Sequence, residues 1–217
     1  DKYTAYKIGF FLPELLKADK VLLGRDVRLS SDEIYDAVVE GVTDAGADVY
    51  DLGLSTTPMV YFATARYGFD ASIQITASHN AKEYNGMKVS RTNALPVGLD
   101  AGLGEIKRWI EEGRQMKIEK EKGKVIKFDK RDDYLTFLNG YKEDYSNLKI
   151  GMDLSNGMAA LFVKDIFGDQ PLYICDKMDG NFPNHEPNPL VEKNREDLKK
   201  LVLDNGCDVG VIYDGDA

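Results

Sequence analysis

Apolar positions along this chain follow two alternating rhythms. Residues 4–18 place Ile8, Phe11, Leu12, Leu15 and Leu16 on one helical face, with Pro13 expected to kink or break that helix. Val21–Gly24 is a short continuous apolar run ending in a turn, the pattern of a buried strand. Ser30 or Ser31 then caps a helix whose first turn, with Asp32 and Glu33, suits its positive end. Its stripe is Ile34, Ala37, Val38, Gly41, Val42 and Ala45, and Gly46 stops it. The rhythm repeats with a strand over Ala47–Gly53, a helix opened by the Thr57 hydroxyl and Pro58 and ended by Gly68, and a strand over Ala71–Ala77.

A polar loop, SHNAKEYNG, leads to a returning strand, MKVS. Helices are expected over 100–112, with Leu103, Ile106, Trp109 and Ile110 inward, and over 131–146, with Tyr134, Leu135, Phe137, Leu138 and Tyr141 inward; a mixed-charge stretch near 114–124 separates them. From Asn147 the pattern restarts with a strand, a tight polar turn and a helix in LKIGMDLSNGMAALFVKDIF. A strand near Leu172–Cys175, a helix with Leu198, Leu201, Val202 and Leu203, and a strand in CDVGVIY complete it. Such alternation predicts an α/β protein of layered α/β/α domains on mostly parallel, mixed sheets. A boundary near 140–147 gives two tandem domains, 1–143 and 144–217, and the second, stopping straight after a strand, reads as truncated.

Charge narrows the functions. The net charge is −9, from 28 basic and 37 acidic residues, so no global field draws the chain to nucleic acid or an anionic membrane. An anionic substrate would need a local positive cluster. No apolar run approaches the roughly 20 residues that cross a bilayer, and Pro13 and Glu14 interrupt any secretory-signal pattern; a soluble, cytoplasmic protein is expected. Cys175 and Cys207 lie in strand-like apolar stretches and read as core thiols. With two histidines in the chain, one of them His185 in a Pro/Asn-rich loop, a His/Cys zinc site is not expected.

Ligands of α/β sheets bind beyond the carboxyl ends of strands, and three such loops carry chemistry: GRDVR (24–28), TASHNAKEYNGMK (76–88) and DGDA (214–217). Ser78 has small neighbours that leave it accessible as a nucleophile, with His79 and Lys88 as candidate proton carriers and an Asn85–Gly86 turn to bring Lys88 back. Adjacency of Ser78 and His79 does not make a hydrolase triad, and no G-x-S-x-G elbow is present. Asp214 and Asp216 have the alternate spacing that lets two carboxylates converge on a hard cation, without the ligands that would complete an EF-hand.

Together these loops resemble the α-D-phosphohexomutases, the phosphomannomutase and phosphoglucomutase family. TASHNAKEYNGMK is similar to that family's active-site loop, DGDA to the opening of its magnesium loop, and GRDVRLSS to an early Arg-containing segment. DLSNGMA and HEPNPLVEKNREDL resemble pieces of its second domain, so the likeness runs along nearly the whole chain. The resemblance implies that Ser78 is phosphorylated and passes its phosphoryl group to a hexose phosphate. It implies that Asp214, Asp216 and a phosphoserine oxygen hold Mg²⁺, and that Lys88, ahead of His79, does the acid/base work. Arg25 and Asn80 would contact substrate or phosphate, Arg25 with a structural ion pair as the competing role. The implied reaction interconverts hexose 1-phosphate and 6-phosphate, of mannose or glucose, through a bound hexose 1,6-bisphosphate. A phosphoglucosamine mutase or a catalytically silent phosphosugar-binding relative are the alternatives, and the oligomeric state is open.

The chain departs from the family pattern at Ala81, where proline is common. The family's opening strand with its active-site Arg, the third Asp and the Arg of the magnesium loop, the sugar loop and the last domain are not in this sequence. It is therefore expected to bind Mg²⁺ weakly and to turn over little or not at all.

Overall fold

The structure, a computed structural model, describes residues 1–217. It divides into two compact units: residues 1–25, 30–76 and 86–130 form the first, and residues 26–29, 77–85 and 131–217 the second. No helix is long and apolar enough to cross a membrane.

The first unit is built on six strands: β1 (Lys20–Arg25), β2 (Asp48–Leu54), β3 (Ala71–Ile75), β4 (Met87–Arg91), β5 (Leu95–Pro96) and β6 (Val125–Lys127), in the order β5-β4-β3-β1-β2-β6. The β1, β2, β3 and β6 strands are parallel, while β4 returns antiparallel to β3 with Gln74 opposite Lys88. Sheets covered on both faces favour continuous apolar strands, which is why VLL of β1 and all five residues of β3 are buried. The polar members of β3 are paired: Ser72 accepts from Thr64, and Gln74 bonds both the hydroxyl and the carbonyl of Ser55. Helices α1 (Lys2–Leu16), α2 (Ser31–Asp44), α3 (Thr57–Tyr67) and α4 (Leu103–Glu111) complete it. At Gly41 the α1 backbone passes so close that a Cβ would lie 2.2 Å from the Tyr6 carbonyl oxygen, so a side chain there would force α1 and α2 apart.

The second unit holds a parallel three-stranded sheet, β8 (Leu172–Ile174), β7 (Ile150–Asp153) and β9 (Val209–Ile212), with β7 central. Around it lie α5 (Arg131–Asn139), α6 (Val163–Phe167) and α7 (Glu196–Asn205). Its core is small: Ile150, Met152, Leu154, Ala159 and Val163.

Several details differ from the sequence reading. α1 runs on past Pro13 to Leu16, where Lys17 in the left-handed conformation closes it. The cap of α3 is Thr56, one residue earlier than expected, whose hydroxyl accepts from the Met59 N–H at 3.2 Å. The helix expected over 131–146 ends at Asn139, because Asn139–Gly140 starts a turn; Tyr134 alone of its apolar residues is fully buried, and Tyr141 is exposed. Residues 140–147, the expected boundary, form the connection from α5 to β7. Leu203 of α7 faces solvent. β6 was not foreseen, since two apolar residues between Lys124 and Lys127 give no period; it is fixed by Val49 donating to Lys124 and Phe128 donating to Asp51.

Candidate active site

The carboxyl ends of β7, β8 and β9 are tied together by one turn. After Asp153, Ser155 and Asn156 adopt consecutive left-handed conformations at φ 50° and 52°. This aims the Ser155 hydroxyl at the Tyr213 carbonyl (2.6 Å) and the Asn156 N–H at the Cys175 carbonyl (2.8 Å). The Asp153 carboxylate holds the turn by accepting from the Ser155 N–H at 2.8 Å. The acidic loop that follows β9 is clamped to the same turn, with Tyr213 donating to Asp153 and Met158 donating to Gly215 through backbone bonds.

Ser78 meets this loop. Its hydroxyl donates to Asp214 Oδ2 at 2.7 Å, while Asp214 Oδ1 accepts from the Ala217 N–H at 3.0 Å. Asp216 is 2% exposed. The close approach depends on Gly215, where a Cβ would stand 2.4 Å from the Ser78 carbonyl oxygen. Ser78 itself has φ 55°, a left-handed conformation that a non-glycine residue keeps only when its surroundings impose it.

Those surroundings centre on Arg28. Its guanidinium donates to the carbonyls of Ser78 (2.8 Å), Asn80 (2.7 Å), Ala81 (2.8 Å) and Tyr84 (3.1 Å), and its Nε to Asp26 Oδ2 (3.1 Å). The Phe182 ring lies 5.1 Å from the guanidinium carbon. Asn80 shapes the same loop: its side-chain amide and its backbone N–H both donate to the Ala77 carbonyl.

Beside the turn, His185 Nε2 lies 2.9 Å from Asp153 Oδ2 and 3.8 Å from Cys175 Sγ, while Nδ1 lies 2.8 Å from the Glu186 carbonyl oxygen. The side chains of His185 and Asp153 are 7% and 0% exposed. The hydrogen bond to Asp153 is the main force that pushes the His185 pKa up to about 10, with Cys175 next and burial opposing. The spacing of Asp153, Cys175 and His185 would admit a metal ion. As the side chains stand, both ring nitrogens face acceptors, and the hydrogen bond to Asp153 favours the protonated ring. We read the cluster as a buried ion pair that anchors the 183–187 loop, whose Pro187 packs against Gly215.

The second unit thus brings Ser78 against Asp214 and also holds Asn80, the exposed His79 and the buried Asp216. Arg25 and Lys88 belong to the first unit, where Arg25 pairs with Asp32 over the Tyr35 ring and Lys88 sits half-buried on β4. Sequence reasoning missed Arg28, Asp153 and His185. The R-D-V-R spacing was the available signal for Arg28: an Asp two residues before an Arg can bond its N–H and its Nε together, as Asp26 does.

Asp214, Asp216 and Ser78 Oγ offer hard oxygen donors only, which suits Mg²⁺ and not a thiophilic metal. Asp216 is buried on the same loop whose Asp214 accepts from Ser78. Residues 1–117 match the phosphoglucomutase/phosphomannomutase α/β/α domain I, and residues 132–217 match domain II. The chain belongs to the phosphoglucomutase/phosphomannomutase family. Within that family it is 38% identical to a phosphomannomutase of Salmonella typhimurium, over 98% of this chain and 49% of that protein. It is 36% identical to a phosphohexose mutase of Xanthomonas campestris, over 98% of this chain and 48% of that one. A solved phosphoglucomutase/phosphomannomutase family protein from Burkholderia thailandensis superposes with a TM-score of 0.88 at 30% identity, covering 100% of this chain and 49% of its own. The chain spans about half the length of the curated relatives it matches.

Proposed function

We propose that Ser78 is the phosphoryl carrier of a phosphohexose mutase that interconverts the 1- and 6-phosphates of mannose or glucose through a bound hexose 1,6-bisphosphate. The observation that carries this reading is the 2.7 Å contact between Ser78 Oγ and Asp214, joining the serine loop to the acidic loop. In the forward half-reaction the P–Oγ bond of phosphoserine breaks and a P–O bond to the free sugar hydroxyl forms. The hydroxyl proton leaves to Lys88 or His79, the proton carriers that the family resemblance implies, and the departing Ser78 Oγ takes up a proton to become the hydroxyl again. In the return half-reaction Ser78 Oγ takes the phosphoryl group from the other end of the bisphosphate, the P–O bond to the sugar breaks, and the proton that Ser78 gives up is balanced by one added to the sugar oxygen that leaves.

The chain's own residues prepare Ser78 for this. Asp214 accepts the hydroxyl proton's hydrogen bond and fixes the direction of Oγ whenever the serine is unphosphorylated. A phosphoserine beside the same carboxylate places like charges in contact, a repulsion that demands a cation. Asp214, Asp216 and a phosphoserine oxygen would hold Mg²⁺, which when bound neutralises charge on the transferring group.

Incubation with hexose 1,6-bisphosphate and Mg²⁺, followed by intact-mass and peptide analysis, tests the reading. One phosphate on Ser78, absent from Ser78→Ala, is expected. A wild-type chain that takes no phosphate at that position would overturn it.

A further inference from the structure

The geometry points to Arg28 as the positioning residue of the serine loop, a buried cation whose work is to hold Ser78 in its left-handed conformation. The inference deepens the phosphoryl-carrier reading and rests on it for its catalytic consequence, although not for its structural one. A guanidinium has five N–H donors, and all five of Arg28 are engaged: one with Asp26 and four with backbone carbonyls of residues 78–84. Its side chain is 0% exposed and its charge is paired with Asp26. It therefore has neither a donor nor an exposed face for a substrate phosphate. What remains is the loop.

Four carbonyls turned towards one point repel one another unless a cation with a planar fork lies between them. A lysine presents three donors from one atom and cannot span the same set. The Ser78 carbonyl is held by Arg28 on one side and abutted by Gly215 on the other, which leaves the Ser78 side chain one direction, towards Asp214. Arg28 is itself located by an isolated parallel bridge to Gly180 and by the Phe182 ring. The residue acts on the hydroxyl through the backbone and touches no reacting atom.

Arg28→Lys tests this by amide hydrogen exchange. The Asn80 and Tyr84 amides, bonded to the Ala77 and Ala81 carbonyls, should exchange roughly tenfold faster or more, with the β7 amides unchanged. A general structural role would instead raise exchange throughout the second unit. The rate of phosphate loading on Ser78 should fall on the order of 100-fold with little change in the bisphosphate concentration for half-maximal rate, as expected of a misaimed nucleophile. In Arg28→Ala, added guanidinium should recover part of both. Should Arg28→Lys fail to fold, Asp26→Asn replaces it: it leaves the four loop-directed donors in place, loosens Nε, and must raise loop exchange by a few-fold. Unchanged loop exchange in whichever of these folds overturns the inference. Wild-type protein that never loads phosphate, with loop exchange still dependent on Arg28, overturns the phosphoryl-carrier reading and leaves the positioning role standing. Wild-type and Arg28→Lys proteins that load equally fast overturn the positioning role alone.

Discussion

The two units are both α/β sheets, yet they are held together by different physics. The first buries eighteen residues in one apolar cluster that runs from Ala5 to Ile106 and draws on α1, α2, α4 and the strands between them. The second has five residues in its core cluster and secures its three short strands through polar turns at their carboxyl ends. Apolar burial is non-directional and tolerates adjustment, whereas a buried polar contact fixes atoms at hydrogen-bond distance. A unit that must place a hydroxyl 2.7 Å from a carboxylate gains from the second kind.

That contrast is easiest to break at its strongest points. Ile73 is fully buried at the middle of β3, so Ile73→Ala should cost the first unit about 4 kcal/mol, the transfer term plus the cavity. Denaturant unfolding followed by site-resolved exchange should place that loss in β1–β3. An equal loss in β7–β9 would mean that the units do not differ in their source of stability.

In the second unit the corresponding deletion is polar. His185→Gln removes the cation from a carboxylate that has no exposure, and breaking a buried pair from one side should cost about 3 kcal/mol. The pH dependence follows from the direction of the shift. The folded pKa, about 10, lies above the ordinary histidine value of 6.5, so the pair's contribution is fully present below the latter and is lost as pH rises through the former. The opening free energy of the second unit, read from exchange rates corrected for their intrinsic pH dependence, should therefore fall between about pH 7 and 10 in the wild type, with a limiting slope near 1.4 kcal/mol per pH unit, and His185→Gln should flatten that fall. A wild-type unit that is equally stable at both ends of that range would show that His185 is neutral in the folded chain.

The fold was far more legible in the sequence than the site. Strand and helix rhythm gave β1, β2, β3, β4, β7, β8 and β9 because each carries an apolar run or alternation, and the family's motifs brought Ser78 and the Asp214–Asp216 pair to notice. β6 was invisible because a three-residue edge strand is defined by its partner's backbone. Arg28 and His185 were unreadable as loop-holding groups for a related reason. Their partners are carbonyls of residues 78–84 and a carboxylate 32 positions away, and no periodicity encodes a backbone acceptor. The length of α5 was overestimated since Phe137 and Tyr141 continue a helical stripe while lying exposed, their rings in contact with each other at 5.2 Å.

The smallest expected effect sharpens the comparison from the other side. Thr56 caps α3 through one hydroxyl bond to the Met59 N–H, a directional contact inside the unit that apolar burial dominates. Thr56→Ala should cost about 1 kcal/mol, and Thr56→Ser should restore most of it, because serine offers the same acceptor at the same position. The loss should appear as faster exchange in the first turn of α3, since the buried Met59 and Val60 side chains keep the rest of the helix on the sheet. If Thr56→Ala instead loosened β1–β3 as far as Ile73→Ala does, polar contacts would govern the first unit as they govern the second. The difference between the units would then lie in the number of apolar residues alone.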